Sequence, residues 1–262
     1  MNFGLIIIGD EILSGRRQDK HMAKVIELLA ARGHALAWAR YIGDDRERIT
    51  VALREAFASG DVVFSCGGIG ATPDDHTRQC AALACGQPLQ LHPEAKVLIQ
   101  ERMRDVAIEQ GVPYEPDRAD NVHRLNMGVF PLGASLIPNP YNKIPGFSVG
   151  HVHFVPGFPV MAHPMIEWVL DQRYPDLRSP EHEERALYVF GANEASLTPL
   201  MEDIEARFEE VKVFSLPSVD HPERGLHIEL GVKGAPRAVE AAFAYLRQAL
   251  AARSGVRVEL AA

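Results

Sequence analysis

The sequence is poor in the features that would place it in a membrane, in a disulfide framework or along a nucleic acid. It has no apolar run approaching the roughly 18 residues of a membrane-spanning helix, and it enters an apolar stretch almost at once, without a basic leader or a small-residue cleavage site. A cytoplasmic location is the expectation. Its cysteines, Cys66, Cys80 and Cys85, are an odd set without a C-x-x-C pair, which argues against a disulfide scaffold or a structural zinc site and leaves buried thiols. Basic residues are outnumbered, 27 Lys and Arg against 35 Asp and Glu, for a formal net charge of −8. That balance excludes broad non-specific attraction to nucleic acid or an anionic membrane, although it leaves room for a local basic patch. There is no internal repeat and no low-complexity tract. What remains is a chain of 262 residues, 47% hydrophobic and 24% charged, long enough for one large domain or a medium domain with a small one.

The stretch richest in chemical information is Gly67-Gly68-Ile69-Gly70-Ala71-Thr72-Pro73-Asp74-Asp75. It follows the apolar run Asp61 to Cys66 and precedes a helical pattern, the order of a strand, a glycine turn and a helix. Gly67, Gly68 and Gly70 allow positive φ and close approach of the backbone to a ligand, while Thr72 is expected to cap the next helix with Pro73 in its first turn. Free N–H groups at a helix start favour an anion such as phosphate. Two aspartates beside that anion would repel it: unit charges about 4 Å apart interact by roughly 4 kcal/mol at an effective dielectric of about 20. A divalent ion resolves the conflict, since Mg²⁺ is commonly held by one or two carboxylates plus substrate phosphates. The plainer alternative is a tight turn whose aspartates favour the helix dipole.

Phe3 to Gly9 is a continuous apolar run, the mark of a strand covered on both faces. Asp10 and Glu11 follow at its C-terminal end, where open α/β sheets place ligands, and Ser14-Gly15 permit a tight loop. Asp19 is a plausible cap for a helix carrying Met22, Val25, Ile26 and Leu29. Ala35 to Ile42 reads as a second strand, Gly43-Asp44-Asp45 as a turn, and Asp45 as the cap of the next helix. Asp10, Asp44 and Asp75 therefore each stand at a strand end, and the three loops are expected to converge on one site. Thr77 to Ala84 and Glu94 to Glu109 read as helices closed by Gly86 and Gly111, and Pro113 to Asn121 as a loop. Ser135 to Ile137 is a short strand candidate. Asn139 to Phe147 is a turn-rich loop in which Asn139, Pro145 and Gly146 are candidates to hold a ligand ring. His151 to Val155 alternates like a half-exposed strand with two histidines on one face, a reading that competes with metal ligation. Pro156 to Pro159 turns the chain again before a helix from Val160 to Leu170 that contains Pro164.

Composition shifts across Tyr174 to Pro180, where proline and charge replace the apolar runs, giving expected domains of 1–175 and 181–262. Beyond it, strand 185–190, helix 195–208, strands 211–216 and 226–232, helix 238–252 and strand 256–260 match a ferredoxin-like β-α-β-β-α-β unit. Val239, Ala242, Phe243 and Leu246 supply an inward stripe. Gly191 to Glu194 reads more simply as a helix cap than as a ligand contact.

As a set, Gly9-Asp10-Glu11, Gly15 with Asp19, Gly43-Asp44-Asp45, Gly67 to Thr77, Pro145-Gly146-Phe147 and Pro156-Gly157 resemble the molybdopterin-binding family, in its variant found at the N-terminus of competence/damage-inducible CinA proteins. The resemblance covers residues 3–172 strongly. It implies an α/β fold with a three-layer, mostly parallel sheet, followed by the small ferredoxin-like α+β unit. Relatives by this resemblance include molybdopterin adenylyltransferase and gephyrin-type proteins, in which the aspartates matching Asp44 and Asp75 serve the pterin and nucleotide chemistry. Longer CinA-like chains carry a nicotinamide-nucleotide amidase domain; this chain stops before one, so amidase activity is not implied. The resemblance implies metal-dependent cleavage of a nucleotide pyrophosphate such as ADP-ribose. Gly68 and Gly70 would bind a phosphate through their N–H groups, Asp44 and Asp75 would hold Mg²⁺ or a similar ion, and Asp10 or Glu11 would orient water. Gly67, Thr72, Asp74, Ser14, Gly15 and Asp19 complete the expected binding set, and a homodimer or trimer is the expected assembly. The chain departs from the pattern at Ala71 in place of Pro, at His21 where Asn is common, and at Val160-Met161 where a Ser-Glu pair often follows. The last departure removes polar groups near the expected site and motivates an alternative, a module that holds molybdopterin or a related pterin without transforming it.

Overall fold

The computed structural model describes residues 2–175 and 183–261. The chain divides into two compact units, residues 1–177 and 178–262. The boundary expected from Tyr174 to Pro180 falls mostly on residues 176–182, outside the described residues.

In the first unit, β1 (Phe3–Ile8), α1 (Asp10–Leu13), α2 (His21–Ala30), β2 (Leu36–Ile42), α3 (Arg46–Ser59), β3 (Val62–Cys66) and α4 (Thr77–Cys85) follow in order. Then come β4 (Leu89–Leu91), α5 (Pro93–Gln110), α6 (Ala119–Arg124), a 3₁₀ turn (Leu125–Gly128), β5 (Val129–Pro131), β6 (Ser135–Ile137), β7 (Gly146–Val149), β8 (Val152–Val155) and α7 (Pro159–Arg173). Six strands form one sheet in the order β2-β1-β3-β8-β7-β6, parallel from β2 to β8 and antiparallel from β8 to β6. The sheet is mixed, with parallel strands at its centre.

The apolar runs are continuous because two cores need them. Along β1, Ile6 and Ile8 join the cluster that holds Leu53 of α3 and Ala81 of α4, while Leu5 and Ile7 join the cluster of Val25 and Leu29 from α2 with Ile166 and Val169 from α7. Alternate side chains thus enter opposite layers, giving helix, sheet and helix. Cys66 and Cys80 are free and buried.

Three local expectations change. Thr72 does not cap α4: the chain turns at Thr72–Asp75, the helix begins at Thr77, and His76 stands at its N-cap position without a side-chain cap. The expected loop at 113–121 gives way to α6 from Ala119. β8 is buried throughout rather than half-exposed, and the ring nitrogens of His153 meet the hydroxyls of Ser148 at 2.8 Å and Tyr174 at 2.7 Å.

The second unit is β9 (Glu183–Phe190), α8 (Glu194–Arg207), β10 (Val211–Ser218), β11 (His227–Gly234), α9 (Pro236–Ala251) and β12 (Arg257–Leu260). Its antiparallel sheet has the order β10-β11-β9-β12, the ferredoxin-like arrangement, with Val239, Ala242, Phe243 and Leu246 of α9 in its core. Asn193 caps α8 by accepting the Ser196 N–H at 2.9 Å. Among the described residues no helix is long and apolar enough to cross a membrane.

Candidate functional site

The parallel strands β1, β2, β3 and β8 end at Ile8, Ile42, Cys66 and Val155, and the loops that follow meet around a cavity of about 380 Å³. Glu11 and Arg17 come from the loop after β1, Asp44 from that after β2, Gly67 to Thr72 with Asp74 and Asp75 from that after β3, and Pro156 to Phe158 from that after β8. Loops at the carboxyl ends of parallel strands are where an open α/β sheet leaves a crevice.

Glycine is required at two places in the floor. Gly67 has φ 107° and Gly68 has φ 67°, and a side chain would strike the Ile8 carbonyl at the first and the Thr77 hydroxyl at the second. The buried Thr77 ties the loop down: its N–H donates to the Gly68 carbonyl at 2.9 Å and its hydroxyl to the Gly67 carbonyl at 3.0 Å. Gly67 gives its own N–H to the Val155 carbonyl of β8 at 3.0 Å, which leaves, of the three glycines, the amides of Gly68 and Gly70 without an acceptor among the described residues.

The acidic residues are held by the backbone. One Asp44 carboxylate oxygen accepts the Asp10 N–H at 2.9 Å, and an Asp10 oxygen accepts the Asp44 N–H at 3.2 Å. Partial burial pushes the Asp44 carboxyl above the usual carboxylate range against that hydrogen bond, with help from the neighbouring charges of Asp10, Glu11 and Asp74. Asp75 accepts both the Thr72 N–H at 2.9 Å and the Thr72 hydroxyl at 2.5 Å on one oxygen, which closes the turn that displaces the helix start.

Asp44, Asp74, Asp75, Glu11, Gly67, Gly68, Gly70 and Thr72 all line the cavity. The other expected site residues do not. Asp10 faces the Asp44 backbone. Ser14 and Gly15 form an exposed turn after α1. Asp19 accepts the N–H groups of His21 and Met22 and the Tyr41 hydroxyl, and so anchors the start of α2. Asn139 is buried and braces its own loop, donating to Asn142 and the Ile144 carbonyl and accepting the Tyr141 N–H. Pro145 lies beyond the cavity lining, and Gly146 is pressed against the Phe154 carbonyl.

Arg17 and Phe158 line the cavity without having been singled out by the sequence. Phe158 carried a signal, because Pro156 to Pro159 is a turn at the end of a parallel strand. Arg17 carried none; the α1 turn places it, through its N–H bond to the Glu11 carbonyl at 3.0 Å. It is the one cation among the described residues that line this cavity. His21, the departure from Asn, still supplies a donor: its Nε2 meets the Gly157 carbonyl at 3.1 Å. Val160 is 56% exposed and Met161 packs beside the α2/α7 core, both off the cavity.

Among the described residues no group of three or more His, Cys, Asp and Glu side chains is placed to hold a metal ion by itself. The acidic rim instead fits an ion that shares its ligands with a phosphate, the usual habit of Mg²⁺. The donor set is the fit test: Glu11, Asp44, Asp74 and Asp75 bring hard carboxylate oxygens to one cavity, the ligand type such an ion takes.

Residues 4–178 match the family model described as a probable molybdopterin binding domain. A CinA-like protein from Syntrophotalea carbinolica is 30% identical over 225 residues, covering 79% of this chain and 51% of the relative. A protein from Pyrobaculum calidifontis is 30% identical over 232 residues, covering 86% of this chain and 85% of its own length. Among solved structures, the protein CinA of unknown function from Thermoplasma acidophilum superposes with a TM-score of 0.55 at 28% identity, covering 65% of this chain and 98% of that one. The chain spans about half the length of the Syntrophotalea relative.

Proposed function

The chain belongs to the family of probable molybdopterin binding domains, and from that premise we propose that its strand-end cavity binds a phosphorylated pterin or nucleotide and hydrolyses a phosphoanhydride, with a nucleotide pyrophosphate such as ADP-ribose as the substrate class. The observation that supports this most is the meeting of Asp44, Asp75 and the Gly68–Gly70 amides around one cavity of about 380 Å³. Donors there are fixed before the ligand arrives, which is what stabilising a phosphoryl group requires. Asp44 and Asp75 would hold Mg²⁺ or a similar ion, which when bound supplies neutralisation of phosphoryl charge and acidification of water.

The remaining roles belong to the chain. Gly68 and Gly70 N–H groups donate to the phosphate that enters the loop, and the Arg17 guanidinium offsets the charge of the second. Glu11, which lines the cavity while Asp10 is engaged with the Asp44 backbone, orients the attacking water and accepts its proton. The water oxygen bonds to one phosphorus, the bridging oxygen leaves with the other, and two monophosphates result.

A second reading, binding without turnover, draws on two observations. One Asp75 oxygen is already engaged twice by Thr72, and Val160-Met161 add no polar group to the cavity. Incubating the protein with ADP-ribose and Mg²⁺ and resolving the products by mass spectrometry separates the two. AMP and ribose 5-phosphate support hydrolysis, provided Asp44→Asn abolishes them; ligand recovered intact with a stable complex supports the binding module.

A further inference from the structure

We propose that a second cavity in the first unit, which shares the Ala71–Asp75 loop with the first, is an anion site for a phosphate-bearing small molecule. This cavity, of about 530 Å³, lies among Arg46 at the start of α3, Arg78 and Gln79 in the first turn of α4, His123 of α6, and that loop. Its charge is the reverse of the first cavity's. Four carboxylates and one guanidinium line the first, whereas two guanidinium groups and one carboxylate, Asp75, line the second. In a chain of net charge −8 such a recess runs against the composition.

Arg78 carries the argument. The residue is 4% exposed, and among the described residues its side chain makes one hydrogen bond, from Nη1 to the Ile69 carbonyl at 3.1 Å. A guanidinium has five N–H donors and is costly to bury without acceptors or a counter-charge. The nearby Asp75 charge helps to keep Arg78 ionised against its burial, but Asp75 spends one oxygen on Thr72. A phosphate accepts the remaining donors in the fork geometry arginine favours. Arg46 lines the same cavity, is exposed and makes no ion pair among the described residues, so it is free to close on the same anion. The Gln79 Oε1 atom is buried without a hydrogen-bond partner, an acceptor suited to a hydroxyl on the body of the ligand. His123 meets the Ala71 carbonyl through Nε2 at 2.9 Å, so an occupant here bears directly on the loop that forms the wall of the first cavity.

The test is calorimetric titration of the intact chain with ribose 5-phosphate and, separately, inorganic phosphate, without added metal. The expected result is binding that weakens at least about tenfold in Arg46→Ala and in Arg78→Met, the loss expected for a hydrogen-bonded charge pair. Gln79→Leu should weaken ribose 5-phosphate and spare inorganic phosphate; equal affinity for both probes, unaffected by this variant, would identify the free ion as the occupant and leave the anion site standing. Arg46 is exposed, so its variant reports even if Arg78→Met fails to fold. No binding at millimolar ligand, or binding that folded Arg46→Ala retains in full, overturns the proposal. Because the readout is binding and not turnover, failure here is separate from failure of the hydrolytic reading.

Discussion

Asp10 and Asp44 grip each other's backbone: each carboxylate accepts the other residue's main-chain N–H, at 2.9 and 3.2 Å. This clasp joins the ends of β1 and β2 and sets Asp44 on the cavity wall. Asn at 44 keeps a carbonyl oxygen for the Asp10 N–H and removes only the charge. Asp44→Asn should therefore melt at or slightly above the wild-type temperature, because the lost charge is one the fold disfavours, while hydrolysis of ADP-ribose falls by about a hundredfold or more, as for removal of a preorganised electrostatic group. Calorimetry and a product assay on the same sample check both halves.

The clasp also requires glycine at 43. A Cβ there would collide with the Asp10 carboxylate, so Gly43→Ala should push Asp10 off the Asp44 N–H and destabilise the protein by about 0.5–1.5 kcal/mol, the net worth of one hydrogen bond. Coupling decides the cause. If Asp10 is what the methyl displaces, the double variant Gly43→Ala/Asp10→Ala is little worse than Asp10→Ala alone in urea unfolding; simple additivity would place the damage elsewhere.

For a cation held by Asp44, as proposed above, the raised carboxyl would set the sign of the pH dependence of binding. Protons and a divalent ion compete for the same group, and the proton competes from a higher pH than at an ordinary aspartate, whose value is 3.8. Affinity for Mg²⁺ in the presence of a phosphorylated ligand should fall as pH falls through the raised Asp44 value. The linkage to folding has the opposite sense: a carboxyl raised on folding makes the native state relatively more stable on the acid side of that value. Titrating the ion across the acid range in wild type and in Asp44→Asn checks this, since the variant should lose the part of the slope that Asp44 supplies.

Much of this site was written in strand-length apolar runs. β1 and β3 are legible because both faces of each strand meet a core, so no polar residue interrupts Leu5 to Ile8 or Val62 to Phe64. The carboxylates that follow such runs had to stand at the sheet edge. Asp45 was legible as a cap and accepts the Arg48 N–H at 2.8 Å. Thr72 looked equally good, but Asp75 three residues on captures its N–H and hydroxyl, and Thr77 is drawn to the glycine carbonyls instead. Such competition among local hydrogen bonds is settled in three dimensions and leaves no periodic signal. The β4–β5 ribbon escaped for another reason: strands of three residues are too short for alternation to show. Arg17 reaches the cavity through a helical turn of four residues, which no spacing rule marks.

The loop fails first where glycine becomes alanine at 68. That residue sits at φ 67°, and its missing Cβ would meet the Thr77 hydroxyl, so Gly68→Ala should cost about 1–3 kcal/mol of stability from backbone strain together with the displaced Thr77 bond. Thr77→Val separates the two effects, since it loses the bond to the Gly67 carbonyl without straining the backbone. Urea midpoints should rank wild type above Thr77→Val and Thr77→Val above Gly68→Ala; a Gly68→Ala protein as stable as wild type would mean that the loop can relax around a side chain and is not held as described.

His153 should make the first unit acid-sensitive. Burial, with the nearby positive charges of Arg173 and His151, pushes this imidazole down from 6.5 to about 3. A histidine whose folded value is depressed is held neutral by the fold, so its contribution to stability is fully present above the unfolded value of 6.5 and is lost as pH falls from there toward about 3. Each tenfold in the proton equilibrium is worth about 1.4 kcal/mol, so a drop from pH 6.5 to 4.5 should remove about 2–3 kcal/mol through this residue alone. Carboxylates also titrate in that range, and comparison with His153→Gln removes them, because the amide fills much of the same space and can still meet the Ser148 and Tyr174 hydroxyls. Urea unfolding at pH 7.5 and at pH 4.5 should show a larger loss of stability in the wild type than in the variant. Equal losses in the two would mean that the ring can protonate without leaving its place, through an opening between Ser148 and Tyr174 wide enough to admit water.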